Sequence, residues 1–116
     1  VSGAVHPRTF GTYPRVLGYY SRELKTIPLE DAVFKMTAAV ATRLHLHDRG
    51  ILRPGMAADL VVFDPAKVRD RATFEESTRL SEGIDQVLTN GVLVVLDGQH
   101  TGAKPGRMLL GPGAGR

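Results

Sequence analysis

The chain contains no cysteine. That excludes disulfides, thiolate nucleophiles and cysteine-type zinc sites, and it suits a reducing, cytoplasmic compartment. Long apolar runs are missing too. Stretches such as Val92 to Leu96 fall far short of the roughly 20 residues that cross a bilayer, so no membrane partner is expected. Neither sign of charge gathers into a block: 15 Lys and Arg are scattered among 12 acidic residues, for a formal net charge of +3. Weak attraction to polyanions follows, but no basic run interleaves with aromatics, and nucleic acid is not an expected partner. No Gly-x-Gly-x-x-Gly or Lys-Ser/Thr ending makes a phosphate loop. There is no acidic residue before Glu23, no initiator Met and no charged-then-apolar leader. The chain is therefore expected to be cut from something larger, with Val1 not its natural beginning.

What is present suits one compact domain: 116 residues, 42% of them apolar, enough for a core of moderate size. Residues 1–14 are rich in Gly, Pro, Thr and Ser and read as a loop that turns helical near Tyr13, with Pro14 in a first turn and an end near Lys25. A clearer start is Thr26-Ile27-Pro28-Leu29-Glu30-Asp31, which places two acids where the helix dipole favours negative charge. Leu29, Val33, Met36, Val40 and Leu44 then recur as one helical stripe that must pack on something, although Thr37 is also a fitting cap for a separate second helix.

Beyond Asp48-Arg49-Gly50 the periodicity changes. Pro54-Gly55 is a turn, and Leu60 to Phe63 reads as a strand covered on both faces and stopped by Asp64-Pro65. Residues 67–81 are polar and read as an excursion over the surface, with a short helical turn near Thr73 to Glu76. Ile84 to Thr89 and Val92 to Leu96 flank Asn90-Gly91, the strongest short-range hairpin signal, and Asp97-Gly98 ends the second strand. Lys104 to Met108 is expected to dock locally and Gly111 to Arg116 to form a disordered end. The layout, helices first and strands afterwards, is α+β.

The stretch Gly50 to Asp64 resembles the carboxy-terminal signature of the amidohydrolase superfamily. His6-Pro7-Arg8-Thr9-Phe10-Gly11-Thr12-Tyr13-Pro14-Arg15-Val16-Leu17-Gly18 narrows the resemblance to the N-acyl-D-amino-acid deacylases, or D-aminoacylases. It continues through Leu29-Glu30-Asp31-Ala32, Lys35-Met36-Thr37, Asp70-Arg71-Ala72-Thr73-Phe74, Thr89-Asn90-Gly91 and Asp97-Gly98-Gln99-His100-Thr101-Gly102. The resemblance implies a carboxy-terminal portion. Residues 1–46 would be the last loop and helices of a (β/α)8 barrel, 47–108 the carboxy-terminal strands of a small β-sandwich, and 109–116 a flexible tail. Both units would be incomplete, their natural partner being the remainder of the enzyme chain.

The resemblance further implies a zinc-dependent hydrolase that splits N-acyl-D-amino acids into a carboxylate and a D-amino acid. Its metal ligands, His pairs, a Cys and further His, lie on earlier strands, and its general base is an Asp expected upstream of Val1. This chain alone is then expected to bind no metal and to be inactive. Two positions depart from the family: Val40 stands in a segment where Pro is usual, favouring one continuous helix, and His45 stands where Gly is common, placing the helix ending in doubt.

Arg8 is the best functional candidate. Its guanidinium matches a carboxylate in two-pronged fashion, an N-acyl amino acid presents one, and the resemblance links this Arg with binding it. His6 is a weaker substrate-binding candidate that could instead bond the backbone of the same loop. Tyr13 and Tyr20 are expected to pack. His45 and His47 have the look of a metal pair, but at the end of a helical stripe residues two apart diverge by about 200°; charge at a helix carboxy-terminus is the simpler reading. His100 is expected to be exposed, and Asp59 and Asp64 to satisfy turn backbone groups. Two alternatives stand beside the deacylase: a free-standing β-rich module that self-associates through unpaired edges, with Val92 to Leu96 its sticky strand, and a fragment of a dihydroorotase-like cyclic-amide hydrolase sharing Ala58-Asp59-Leu60-Val61-Val62.

Overall fold

Helix formation begins earlier than the loop-like composition suggests. In the computed structural model, which describes residues 5–110, α1 spans Arg8–Arg15 and contains Pro14. A proline there has no N–H for the preceding turn and its ring crowds the carbonyl of Phe10. Beyond it the helix widens: Val16–Glu23 is a π-type stretch that ends with the Leu24 N–H on the Tyr19 carbonyl at 2.9 Å. Lys25, in the left-handed region at φ 52°, stops it near the expected place. α2 (Leu29–Met36) starts where Glu30 and Asp31 predict.

The continuous helix favoured by Val40 is not formed. α2 and α3 (Ala38–Arg43) are separate, broken at Thr37, where φ and ψ are −126° and −91°. The Thr37 hydroxyl donates to the Val33 carbonyl at 2.8 Å, while its N–H turns to Phe34 at 3.2 Å. A side chain has thus taken the carbonyl that the helix would have used. α3 closes in a Schellman motif: Leu46 N–H bonds the Ala41 carbonyl, His45 N–H bonds that of Thr42, and His45 occupies the left-handed position at φ 56°. Helix termination is therefore normal, with a β-carbon where glycine would relieve strain.

Four strands form one antiparallel sheet in the order β1 (Leu60–Phe63), β2 (Ile84–Thr89), β3 (Val92–Leu96), β4 (Gln99–His100). Asn90-Gly91 makes the expected turn, with φ of 49° and 78°. Asp97-Gly98 does more than end β3. It repeats the same left-handed pair, at 50° and 73°, and returns the chain as β4. β3 consequently lies inside the sheet, with the Thr101 N–H on the Val94 carbonyl prolonging its cover. The exposed-edge role expected of Val92 to Leu96 is thereby corrected; the edge strands are β1 and β4.

The described residues divide into two compact units, drawn from Val1–Ala32 with Phe63–Ile84 and from Val33–Val62 with Asp85–Arg116. In the first, the segment read as a polar excursion carries the best-buried side chain, Val68, at 1% exposure. Gly18 and Gly83 both approach its backbone too closely for a β-carbon. Arg22 donates from Nη1 to the Val68 carbonyl at 2.7 Å and to that of Pro65 at 3.0 Å. No helix forms near Thr73; the Glu76 N–H instead bonds the Thr73 hydroxyl.

In the second unit the guanidinium of Arg49 is a clamp. Nε and Nη2 hold both oxygens of Asp48 at 3.0 and 3.1 Å, and Nη1 holds Asp59 Oδ2 at 2.6 Å. Asp59 Oδ1 accepts the Asn90 N–H at 2.8 Å, and the Asn90 side chain donates to the Pro105 carbonyl at 2.9 Å. The local docking expected of Lys104 to Met108 is thus present at Pro105. The end expected to be disordered, Gly111 to Arg116, lies outside the described residues.

The core is thinner than composition suggests. Among the described residues the buried apolar ones are Ala32, Ala41, Val68 and Ala72, while Val33, Phe34, Val40 and Leu44 remain exposed. Nor is β1 covered on both faces, since Val61 and Val62 are about half exposed. Helical spacing located the apolar stripe, but the residues that pack are the small ones beside it.

Two outcomes follow for stability. Replacing His45 with Gly relieves the left-handed strain and raises the unfolding free energy by about 0.5–1 kcal/mol after the extra backbone entropy of glycine is subtracted; a lowered thermal midpoint would contradict this. Carboxyl pKa values are depressed at Asp48 by its bonds to Arg49, at Asp64 by the Ala66 N–H, and at Glu82 by Arg69. Because these groups bind protons more weakly when folded, their contribution is complete above the ordinary carboxylate range and is lost as pH falls through and below it. Urea midpoints should hold between about pH 7 and about pH 5 and decline at lower pH. A midpoint that rises on acidification would overturn the assignment.

Candidate functional site

The first turn of α1 presents Arg8 at the end of a well-bonded loop. Arg8 N–H donates to His6 Nδ1 at 3.1 Å, Thr9 N–H to the His6 carbonyl at 3.0 Å, and Phe10 and Gly11 N–H to the Pro7 carbonyl at 3.1 and 3.0 Å. Every donor that a helix start leaves open is therefore filled. An incoming anion meets no free helix N–H here. It meets the guanidinium of Arg8, which is exposed and, among the described residues, has no carboxylate within ion-pair distance.

The helix behind it is fixed by close approach. A β-carbon on Gly11 would overlap the Asp70 carboxylate, which is nearly buried and accepts the Ala72 N–H at 2.8 Å. Arg15 adds a longer ion pair to Asp70 at 3.7 Å, and its guanidinium lies over the Tyr19 ring at 5.0 Å. Asp70 thus serves as an anchor for α1. Tyr13 does not pack as expected: it is mostly exposed, whereas Tyr20 meets Tyr19 edge-on at 5.3 Å.

Of the remaining candidates, His6 bonds the backbone of its own loop, and Arg8 and His6 are brought together. His45 and His47 are exposed and border an open groove of about 690 Å³ in the second unit, alongside Asp48, Arg49 and Arg107. Among the described residues no three His, Cys, Asp or Glu side chains gather as a metal group. His100 is exposed and its Nδ1 accepts the Gly102 N–H at 2.9 Å. Asp59 and Asp64 satisfy backbone groups as expected, on Asn90 and Ala66. The carboxyls with depressed pKa are all engaged in hydrogen bonds or ion pairs with near neighbours: Asp48 with Arg49, Asp64 with Ala66 and Glu82 with Arg69.

Sequence reasoning missed Arg22, Arg49 and Asp70. Arg49 carried one usable signal: it lies between Asp48 and Asp59 across a Pro-Gly turn, and that turn, closed by the Met56 N–H on the Arg53 carbonyl, brings the second acid back. Among the described residues no helix is long and apolar enough to cross a membrane.

Known proteins place this geometry in context. The chain is 53% identical over 104 residues to the D-aminoacylase of Alcaligenes xylosoxydans xylosoxydans, a match covering 90% of this chain and 22% of that protein. A crystal structure of D-aminoacylase superposes with a TM-score of 0.82 at 54% identity, over 84% of this chain and 21% of that one. The N-acyl-D-glutamate deacylase of Bordetella bronchiseptica, solved with zinc and a phosphonate mimic of the tetrahedral intermediate, gives 0.76 at 52% identity, over 77% and 19%. The chain thus spans about a fifth of the length of these relatives and corresponds to their carboxy-terminal portion. Residues 1–95 match the amidohydrolase family, and the chain belongs to it.

Proposed function

We propose that this chain works as the carboxy-terminal portion of a zinc-dependent hydrolase of N-acyl-D-amino acids, and that Arg8 holds the substrate carboxylate. The observation that carries this reading is Arg8 itself: an exposed guanidinium without a carboxylate partner among the described residues, on a bonded helix start, within a stretch half identical to a D-aminoacylase. A free carboxylate beside the amide is the feature that N-acyl amino acids share. Arg8 can meet it with two parallel charge-assisted bonds, fixing the amide's position relative to groups elsewhere in the enzyme.

The described residues of this chain do not fit a zinc ion. The described residues gather no ligand group, and exposed His45 and His47 sit in the closing turn of α3 and the loop after it. In this reading the metal ligands and the general base belong to the rest of the enzyme, and the chain contributes structure and substrate binding. Residues 1–46 complete a barrel and 47–108 close a small sandwich. The exposed apolar side chains of Val33, Phe34, Val40 and Leu44 on the helices, and of Val61 and Val62 on β1, support this because they are surfaces suited to cover by more chain.

In the complete enzyme, Arg8→Ala should lower kcat/KM for N-acyl-D-amino acids by about 100-fold or more, from two charged hydrogen bonds lost, with Arg8→Lys recovering only part. A substrate whose carboxylate is replaced by an amide should respond little to the change. Unaltered kcat/KM in Arg8→Ala would overturn the assignment. The 116-residue chain by itself should release no amino acid from N-acyl-D-substrates and carry no stoichiometric zinc by elemental analysis. Metal-dependent turnover from it would refute the division of labour.

A further inference from the structure

His6 touches neither a metal group nor an acid in this structure, yet it makes a specific bond. Its Nδ1 accepts the N–H of Arg8, two residues on, at 3.1 Å. The same short loop closure recurs in this chain from Asp64 to Ala66, Asp70 to Ala72 and His100 to Gly102. At His6 the ring is also held from outside. Phe74, from a distant segment of the same unit, meets it edge-on at 5.3 Å and 76°. Turning the ring to point Nδ1 elsewhere forfeits the bond to Arg8, and accepting the N–H requires the lone pair on Nδ1 and the proton on Nε2.

The Arg8 N–H is the one donor of the α1 first turn that a side chain satisfies; the next three bond carbonyls of His6 and Pro7. The peptide plane preceding Arg8 is therefore held at its N–H by the His6 ring and at its carbonyl by the Phe10 and Gly11 N–H groups. From these contacts we infer that His6 is a positioning residue for the carboxylate-binding guanidinium of Arg8, with Phe74 holding its ring in register. The inference rests on the reading of Arg8 given above. His6 itself contacts no substrate in this scheme; it fixes where the Arg8 side chain leaves the backbone.

A double-mutant cycle in the complete enzyme tests it. Loss of one capping bond should raise KM for an N-acyl-D-amino acid about five- to tenfold in His6→Ala while kcat stays within about twofold. His6→Asn, whose side-chain oxygen can accept the same N–H, should restore KM. In an Arg8→Ala background, His6→Ala should add no further loss, because there is no guanidinium left to place. A merely structural His6 would lower the thermal midpoint and act alike in both backgrounds. If Arg8→Ala raises KM but His6→Ala does not, or if the losses add, or if Asn fails to rescue, the positioning role is wrong. If Arg8→Ala leaves kcat/KM unchanged, the reading of Arg8 falls and the role of His6 falls with it.

Discussion

One guanidinium sets the arrangement of the second unit. Arg49 stands between α3 and β1, and three of its five donors are divided between the acid beside it and an acid at the entry of β1. Each carboxylate is thereby left with a defined orientation, and Asp59 uses its second oxygen to fix the Asn90 turn. The planar fork matters more than the charge. An ammonium could neutralise both acids, but it could not face one in two-pronged fashion while directing a third bond to the other. Exposed ion pairs contribute little singly; here Asp59 is shared between Arg49 and the Asn90 turn, so disturbing it loosens the strand entry and the hairpin together.

The first unit is organised by close approach. Val68 is enclosed because glycines at 18 and 83 let the backbone reach it and because Arg22 collects the carbonyls around it. Gly11 does the same for Asp70. In both places a missing side chain makes room for a polar group that then anchors a helix. Such contacts tolerate almost no change of volume, which is how a segment with few large buried residues still holds α1 and its Arg8 in a defined place.

Local chemistry was legible in the sequence where the structure depends on neighbours. The Asn90-Gly91 turn, the Pro54-Gly55 turn, the acids opening α2 and the strand closed by Asp64-Pro65 all rest on properties of adjacent residues, and all are present. What could not be read depends on distance. Val68 sits in a stretch of charged residues, and only the far-off glycines make it core. Pro14 within a helix runs against local preference, and the break at Thr37 turns on which of two local options its hydroxyl takes. At the candidate site Arg8 was identified through the resemblance of its surrounding loop. The contact of His6 with Phe74 carries no sequence signal, since it joins residues far apart.

The Asn90 turn carries a chemical consequence as well as a geometric one. Asn-Gly pairs are the sites at which proteins age most readily, because the glycine nitrogen can attack the asparagine side chain and close a succinimide ring. Here both reactants are engaged: the Gly91 N–H bonds the Ala58 carbonyl at 2.9 Å, and the Asn90 amide is held by Pro105. Ring closure would require releasing both. The contacts that set the hairpin's register therefore also slow its spontaneous deamidation, and the durability of this turn over the protein's lifetime is tied to the integrity of the fold around it.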